Sequence, residues 1–384
     1  MQNPSARLLV TVDKTSLQVR RCDEERSRLP VSVPKLSPDD ILSLKNSKVS
    51  LTDLSQALID FDQEWIDEYL DERGQLEVGQ YLYQQIFARV SPYDFAEDGT
   101  GVELRITTKD EDIARLPWVL LAHEGVFLAT MGWAISLATD IQAANYELPP
   151  RPKILALAPQ PKDLEATGAE EHLQEIRELL SAADLAYSDD SRFRVVFDFA
   201  SFHAELNAFQ PDILYYYGHG KGNQHTTRLL FADQKGRSVA TPLPDFTAAL
   251  QSQPEHKRPK LAYINCCQGD SGGLLGAGRQ LLNHIPAVVT NRTTAFIDAA
   301  RPQALAFWEY LLLKGEAPHR ALCATCSNLG RLGLTTADIR WMTPVLHCRY
   351  DQWQANPPVA PDRSQRDPYW HLKVDRKVQY SLVS

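Results

Sequence analysis

The feature that most constrains this chain is a regular alternation of short apolar strands and amphipathic helices from residue 154 onward. Strands and helices that alternate along a chain form a mostly parallel sheet, because each helix crosses one face to bring the next strand alongside. The sequence therefore predicts an α/β fold with a doubly wound, mostly parallel sheet and helices on both faces. The predicted strands are 154–158, 193–197, 213–217, 261–265 and 287–290, and the predicted helices are 169–183, 201–209, 274–282, 299–313 and 318–327.

The residues before this unit are of a different kind. Pro149, Pro150 and Pro152 lie close together and indicate a linker between an N-terminal α+β part and the main α/β part. In the N-terminal part, apolar residues at helical spacing predict a helix over 52–70, with Gly74 as its stop. The predicted division is 1–148 for the N-terminal part, 153–355 for the α/β part and 356–384 for a polar C-terminal tail.

The charge balance limits the partners of the chain. Its 384 residues carry 40 basic and 49 acidic side chains, which gives a formal net charge of −9. This balance disfavours nucleic acid as a partner, because phosphate binding needs a basic surface. The first ten residues lack the apolar core of a signal peptide, and no run of about 18 apolar residues occurs. We therefore expect a cytoplasmic protein that contacts neither membrane nor nucleic acid directly.

A histidine and two adjacent cysteines follow predicted strands. His219 comes after the strand 213–217, between glycines that let the backbone turn sharply, and Cys266 and Cys267 come after the strand 261–265. In parallel sheets, the loops at the carboxyl ends of strands hold the chemistry. A thiol with an ordinary pKa of about 8.5 needs a nearby imidazole to form a thiolate at neutral pH. A histidine roughly 50 residues before the cysteine is the caspase-type arrangement.

From about residue 76 to about residue 349, the chain resembles the CHAT domains, which are caspase-like cysteine proteases of the caspase/separase clan. Gly218-His219-Gly220 matches the histidine motif of that family, and Asn265-Cys266-Cys267-Gln268-Gly269 resembles its cysteine motif. In this register Cys267 takes the nucleophile position and Cys266 the place of an alanine. The segment 116–121 resembles the Pro-Trp-Glu-Leu-Leu segment of the family, with Val119 in place of the acidic residue.

The resemblance implies a caspase-like fold, with an N-terminal pseudo-caspase-like part, and peptide-bond hydrolysis without a metal or other cofactor. Cys267 would attack the scissile carbonyl as a thiolate, and His219 would stabilise that thiolate and protonate the leaving amine. Backbone N–H groups of Gly220 and Cys267 would hold the oxyanion.

The substrate pocket departs from the family pattern. Several relatives bind a basic P1 side chain through an aspartate at the position of Asn265, and a neutral amide cannot supply the charge that a buried guanidinium requires. A non-basic P1 residue is therefore one alternative, and another acidic residue in the pocket is the other. The candidate pocket residues are Asn265, Asp270 and Asp298.

Two functions fit these motifs. The first is an endopeptidase that cleaves a partner protein, such as a gasdermin-like pore-former, in a prokaryotic stress or antiviral defence response. The family resemblance alone suggests this partner. An activating sensor protein or self-cleavage would switch the enzyme on, or it would need no activation. The second is a catalytically weak CHAT-like module that acts as a protein-binding scaffold, which the departures at Val119 and Asn265 would favour.

The other cysteines are expected to have structural roles. Cys266 should face away from Cys267 into the core, because neighbouring residues of a strand point to opposite sides. Cys323 and Cys326 form a Cys-x-x-Cys pair within the predicted helix 318–327. No second pair occurs at zinc spacing, so packing is expected rather than metal or redox chemistry.

Overall fold

The structure is a computed structural model that describes residues 6–13, 16–22, 36–60, 62–88, 90–96, 101–139, 144–182, 187, 190–222, 227–267, 272–292 and 297–355. Within these ranges, no helix is both long enough and apolar enough to cross a membrane. The predicted C-terminal tail, 356–384, lies outside the described residues.

Short strands occur along the whole described chain. They are β1 (Arg7–Asp13), β2 (Ser16–Arg21), β3 (Ile41–Leu44), β4 (Ser47–Ser50), β5 (Glu103–Thr108), β6 (Ala122–His123), β7 (Val126–Phe127), β8 (Ala134–Ala138), β9 (Ala144–Leu148), β10 (Ile154–Leu157), β11 (Phe193–Val196), β12 (Ile213–Gly222), β13 (Thr227–Ala232), β14 (Ser238–Pro242), β15 (Leu261–Cys267), β16 (Ala287–Asn291), β17 (Pro344–Cys348) and β18 (Tyr350–Ala355).

The helices lie between these strands. They are α1 (Leu51–Asp60), α2 (Gln63–Tyr69), α3 (Glu72–Phe87), α4 (Glu111–Arg115), α5 (Ala169–Ala182), α6 (Phe199–Phe209), α7 (Leu243–Gln251), α8 (Gly272–Leu281), α9 (Ile297–Trp308) and α10 (Pro318–Ser327). A π-helical segment, Glu309–Leu313, follows α9, and short 3₁₀ segments include Trp118–Leu120 and Ile339–Met342.

One sheet of 12 strands organises the described chain. Its main path runs in the order β11-β10-β12-β15-β16-β17-β8-β5-β1-β2, and β13 and β14 branch from β12. Neighbours along this path are parallel, except at β16–β17 and β1–β2, where the pairing is antiparallel. The predicted mostly parallel α/β sheet is therefore confirmed.

Helices cover both faces of the half of the sheet that begins at β10. Apolar residues of α5, α9 and α10 pack on one face, against Tyr215 and Tyr263. Residues of α6, α7 and α8 pack on the other face, against Tyr216 and Ile264. Because both faces are buried, the central strands are continuous apolar runs without alternating polar residues. The sequence prediction of helices on both faces is confirmed by this arrangement.

Of the N-terminal strands, β8, β5, β1 and β2 extend this sheet, whereas β3 with β4 and β6 with β7 form separate two-stranded sheets, and β9 pairs with β18. β8 pairs in parallel with β17, with Ser136 opposite Leu346, and continues the sheet to β5 and β1. A third core cluster, built from these strands and from α1 to α4, covers this half. The predicted linker lies between β9 and β10. The division of the chain at that point stays a prediction, and the sheet is continuous across it.

The helix predicted over 52–70 is wrong as a single element. α2 begins anew after Asp62, whose side chain accepts a hydrogen bond from the Trp65 N–H (3.1 Å) and so caps its N-terminus. Gly74 does not end a helix, because it lies in the first turn of α3, which Asp71 caps. A Cβ added at Gly74 would overlap the carbonyl oxygen of Tyr69. The close approach of α2 therefore explains this glycine.

Candidate active site

The candidate site lies where β12 and β15 run side by side in the middle of the sheet. These strands are parallel, and their register pairs Tyr217 with Asn265 and His219 with Cys267. Apolar and aromatic side chains over 213–217 and 261–264 are buried, which fixes both strands between the helical layers. The backbone of the histidine and that of the second cysteine therefore meet at the same level of the sheet.

Strand β12 is longer than the sequence indicated. The expected strand 213–217 is present, but the glycine-rich turn expected after it is wrong, because β12 continues to Gly222. Its last residues, 220–222, pair antiparallel with the start of β13, which supplies backbone hydrogen-bond partners beyond the end of β15. His219 consequently lies within β12. It is the last residue that pairs in parallel with β15, and the antiparallel pairing with β13 begins at the next residue.

The glycines that flank His219 are required by close packing. A Cβ at Gly220 would lie 3.1 Å from Sγ of Cys266, and a Cβ at Gly218 would lie 3.1 Å from Cγ of Pro159. Larger side chains at these positions would push β12 away from β15 and from the segment after β10. The role of the Gly220 N–H as an oxyanion donor stays a prediction.

His219 is held by a backbone group. Its Nε2 lies 2.7 Å from the carbonyl oxygen of Glu165, and the side chain is 7% exposed. A carbonyl oxygen only accepts hydrogen bonds, so Nε2 carries the proton and Nδ1 is the basic nitrogen of the neutral ring. Glu165 lies beyond the carboxyl end of β10. Sequence reasoning missed this partner because a backbone carbonyl leaves no side-chain signal.

The two cysteines occupy successive positions at the end of β15. Cys266 is fully buried in the cluster that faces α6, α7 and α8, which confirms its predicted core role. The backbone of Cys267 ends the strand, whereas its side chain lies outside the described residues, as does the whole of Asp270. The roles of Cys267 as nucleophile and of Asp270 in a pocket stay predictions.

Asn265 belongs to a buried network of neutral polar groups. Its Oδ1 accepts a hydrogen bond from Nδ2 of Asn291 (3.0 Å), and its Nδ2 donates to the hydroxyl of Tyr215 (3.3 Å). Nδ2 of Asn291 also donates to the carbonyl oxygen of Cys266 (3.4 Å). Both asparagines are at most 1% exposed. The amide of Asn265 therefore holds its own strand against β12 and β16, and its place in a substrate pocket stays a prediction.

His172 on α5 extends this network. Its Nε2 lies 2.7 Å from the hydroxyl of Tyr215, and its ring centroid lies 4.4 Å from that of Tyr217. Burial lowers the pKa of His172 below its ordinary value, an effect that Glu175 opposes. The imidazole is therefore neutral at pH 7. Sequence reasoning missed His172 because it lies on a helix far from the cysteine motif.

Asp298 lies on the surface at the start of α9. Its carboxylate pairs with the guanidinium of Arg340, and its side chain is 66% exposed. Arg340 pairs also with Asp338. The carboxylate of Asp298 is therefore already paired with a guanidinium of this chain. A role of Asp298 in recognising a basic P1 side chain stays a prediction.

The Cys-x-x-Cys pair lies on α10, where the sequence placed it. Burial raises the pKa of Cys323 to about 11 and that of Cys326 to about 12, so both thiols are protonated at neutral pH. Both are in contact with apolar side chains of the core. Over the described ranges, no group of three or more His, Cys, Asp and Glu side chains is arranged to hold a metal ion.

Known structures with some similarity include a chain of the Saccharomyces cerevisiae separase–securin complex, at 11% identity and a TM-score of 0.38 over 66% of this chain and 15% of that chain. A secreted C11 cysteine protease from Bacteroides thetaiotaomicron matches at 11% identity and a TM-score of 0.32, over 45% of this chain and 56% of that chain.

The Arg-specific cysteine proteinase gingipain R matches at 8% identity and a TM-score of 0.44, over 73% of this chain and 68% of that chain. The chain thus spans less than a fifth of the separase–securin chain that it matches. No protein-family model and no curated protein matches the sequence.

Proposed function

We propose that this chain is a caspase-like cysteine endopeptidase in which Cys267 is the nucleophile and His219 the acid–base partner. The observation that carries the proposal is the register of β12 and β15, which pairs His219 with Cys267. The histidine and cysteine motifs, which lie roughly 50 residues apart in the sequence, are thus opposite each other on adjacent parallel strands.

Strand geometry favours a common face for the two side chains. Residues paired in register on parallel strands project to the same side, and side chains two residues apart share a face. Tyr217 packs on the side of the sheet that carries α5 and α9, and the amide of Asn265 bonds to Tyr215 and Ala300 on that side. By the same alternation, positions 219 and 267 would project to that side as well. By this alternation the thiol would emerge beside the imidazole.

The hydrogen bond of His219 favours proton transfer with this thiol. Because Nε2 donates to the Glu165 carbonyl, Nδ1 is the nitrogen left to accept the thiol proton. The resulting thiolate would attack the scissile carbonyl, and the imidazolium would return its proton to the leaving amine. The N–H groups of Gly220 and Cys267 would stabilise the oxyanion, each contributing about 3 kcal/mol.

The family resemblance extends the proposal to a protein substrate, such as a gasdermin-like pore-former in a prokaryotic defence response, and to activation by a sensor or by self-cleavage. The neutral amide of Asn265, with both ends bonded inside the protein, favours a non-basic P1 residue. A peptide library with each residue at P1 tests this part: preferred cleavage after Arg or Lys would contradict it.

Labelling of thiols in the native protein tests the nucleophile. Of the cysteines with a described side chain, Cys22 is exposed and the others are buried. A Cys22→Ser variant is therefore the background in which a peptide-based electrophile should modify Cys267. We expect one modified thiol per chain in this background and none after Cys267→Ala. Labelling that survives Cys267→Ala would contradict the assignment.

Cleavage of a candidate substrate protein tests the activity. Wild type should cleave a gasdermin-like or other partner, and Cys267→Ala and His219→Ala should not. Cys323→Ala is the matched control, because it removes a thiol that is buried in α10, and it should retain cleavage. Equal cleavage by all four proteins would refute the protease proposal. Tight partner binding without labelling or cleavage would instead support the scaffold.

A further inference from the structure

Arg292 is a buried cation that directly follows β16. Its side chain is 2% exposed, and its guanidinium donates to the carbonyl oxygen of Arg115 at the end of α4. Among the described residues, its Nε has no hydrogen-bond partner and no carboxylate pairs with its guanidinium. Burial lowers the pKa of Arg292 to about 9. An unpaired buried charge is strongly destabilising, so this guanidinium needs a counter-charge.

The groups around Arg292 add to the positive charge. Arg279 on α8 donates to a backbone carbonyl, that of Thr108 (2.6 Å). Burial, together with the charges of Arg292 and Arg279, lowers the pKa of His347 to about 3. The backbone carbonyls satisfy hydrogen bonds but carry no net charge. Among the described side chains, no carboxylate forms an ion pair with Arg292 or Arg279.

Arg292 also borders a small cavity. It has a volume of about 30 Å³, and its lining includes Arg292 together with Trp118, Val119, Cys326 and Val345. A single water molecule needs roughly 10–15 Å³ of such space, so the cavity accepts one small ion but no phosphate or nucleotide. Its mostly apolar walls favour an ion with weak hydration over one that holds its water tightly.

We propose that this cavity is a binding site for one small monovalent anion, of which chloride is the representative, and that the anion is the counter-charge of Arg292. A water molecule would satisfy a hydrogen bond of the guanidinium but would leave its charge unbalanced. Arg292 directly follows β16, the strand next to β15, whereas Trp118 and Arg115 belong to the N-terminal half. The bound anion would therefore stabilise the contact between these two halves.

Thermal unfolding in two salts tests the proposal without reference to enzymatic activity. The midpoint Tm of wild type is measured from about 1 mM to about 100 mM chloride, with sodium gluconate keeping the ionic strength constant. Binding to the folded state raises Tm in proportion to the logarithm of chloride above the dissociation constant, by several degrees over this range. A Tm that is the same in both salts would overturn the proposal.

Two substitutions locate the effect. Arg292→Met removes the cation, and Val119→Glu places a carboxylate in the wall of the same cavity. We expect both variants to lose the chloride dependence, and Val119→Glu to unfold at a higher Tm than wild type when chloride is absent. Arg340→Met is the matched control: it removes a guanidinium paired with Asp298 and Asp338, and should keep the dependence.

Crystals grown in bromide give a direct measurement that does not depend on the variants. An anomalous peak beside the guanidinium of Arg292 in wild type is the expected result. Its absence, at a bromide concentration that raises Tm, would overturn the site even where Arg292→Met fails to fold. Retention of the full chloride dependence by a folded Arg292→Met or Val119→Glu variant would overturn it as well.

Discussion

Two buried polar clusters of the same sheet differ in charge. On β5, Glu103 pairs with Arg105 (2.6 Å) and with Arg7 (2.7 Å), and His319 lies 3.7 Å from the same carboxylate. At the end of β15, the network around Asn265 consists of amides, a phenol and a neutral imidazole. The first cluster is stabilised by balanced charges, and the second by hydrogen bonds alone.

In the ionic cluster of Glu103, Arg105, Arg7 and His319, each charge changes the pKa values of its neighbours. Burial acts to raise the pKa of Glu103, but the charges of His319, Arg105 and Arg7 outweigh it and hold this pKa at about 2. Burial acts to lower the pKa of Arg105, and neighbouring charges, including Glu103, raise it above its ordinary value. The guanidinium of Arg105 also donates to the carbonyl oxygens of Tyr350 and Asp351. This cluster therefore ties β5 to the chain after β17.

The neutral cluster of Asn265, Asn291, Tyr215 and His172 lies next to the candidate site and carries no charge. A fixed charge beside His219 and Cys267 would favour one protonation state of the pair over the other. Neutral groups hold the end of β15 in place and add no charge that would bias the protonation of the proposed pair. The comparison indicates that the ionic cluster serves stability, whereas the neutral cluster serves the geometry of the candidate site.

The largest expected effect separates activity from stability. His219→Ala should lower kcat/KM for a cleaved substrate by about 10³-fold or more, because it removes the acid–base group. The free energy of unfolding, measured by urea titration, should change far less than the activation free energy of the cleavage reaction. A His219→Ala variant with the kcat/KM of wild type would contradict the catalytic role of His219, and with it the link between the neutral cluster and activity.

The next effect concerns the ionic cluster. Glu103→Gln keeps the shape of the side chain but leaves Arg105 without its buried counter-charge, which should lower the free energy of unfolding by about 3–5 kcal/mol. Activity per folded molecule should stay near that of wild type. Glu111→Gln is the control, because Glu111 is 69% exposed in its pair with Arg115. Similar losses from both variants would show that burial of the pair is not what matters.

Acid should destabilise the protein through two buried imidazoles, of which His319 lies in the cluster of Glu103 and His347 lies elsewhere in the sheet. Burial lowers the pKa of His319 to about 4 and that of His347 to about 3, from an ordinary value of 6.5. As the pH falls below 6.5, these two histidines therefore bind protons in the unfolded chain but not in the folded chain. The free energy of unfolding decreases as a result. Glu103 adds to this loss below its ordinary pKa of 4.5, because its folded-state pKa is about 2.

Urea unfolding at pH 7, 6, 5 and 4 measures this dependence. Each unit of pKa displacement corresponds to about 1.4 kcal/mol, so His319 and His347 together should lower the free energy of unfolding by a few kcal/mol between pH 6.5 and pH 4. His319→Gln should flatten the profile in that window, and His256→Gln, on the surface, should not. A profile that is level from pH 7 to pH 4 would contradict the burial of neutral imidazoles.

The smallest effect on stability is expected from the neutral cluster. Asn265→Ala leaves partners of a buried amide unsatisfied and should cost about 1–3 kcal/mol of unfolding free energy. It should also lower kcat with KM little changed, because the strand that carries Cys267 loses its hold on β16. Asn283→Ala, at an exposed position after α8, is the control for both readouts. A loss of stability with unchanged kcat would assign Asn265 a purely structural role.

Some features of the fold were predictable because their signals are local. Strands over 213–217 and 261–265 are apolar runs, and helix 318–327 was placed with the same ends that α10 shows. The same local reading failed at Gly74, because the reason for that glycine is the close approach of Tyr69 from another helix. It failed also at the end of β12, since an antiparallel partner, β13, extends that strand through His219.

The fold class and the candidate pair could be predicted from the chain alone, because the alternation of strands and helices and the two motifs are local patterns of consecutive residues. That β12 and β15 are neighbours, in a register that pairs His219 with Cys267, became evident only in three dimensions. The tertiary structure also decided that the Glu165 carbonyl orients His219 and that Arg292 is buried without a carboxylate among the described residues. These features depend on pairing between distant segments and on backbone groups, which no local pattern of side chains encodes.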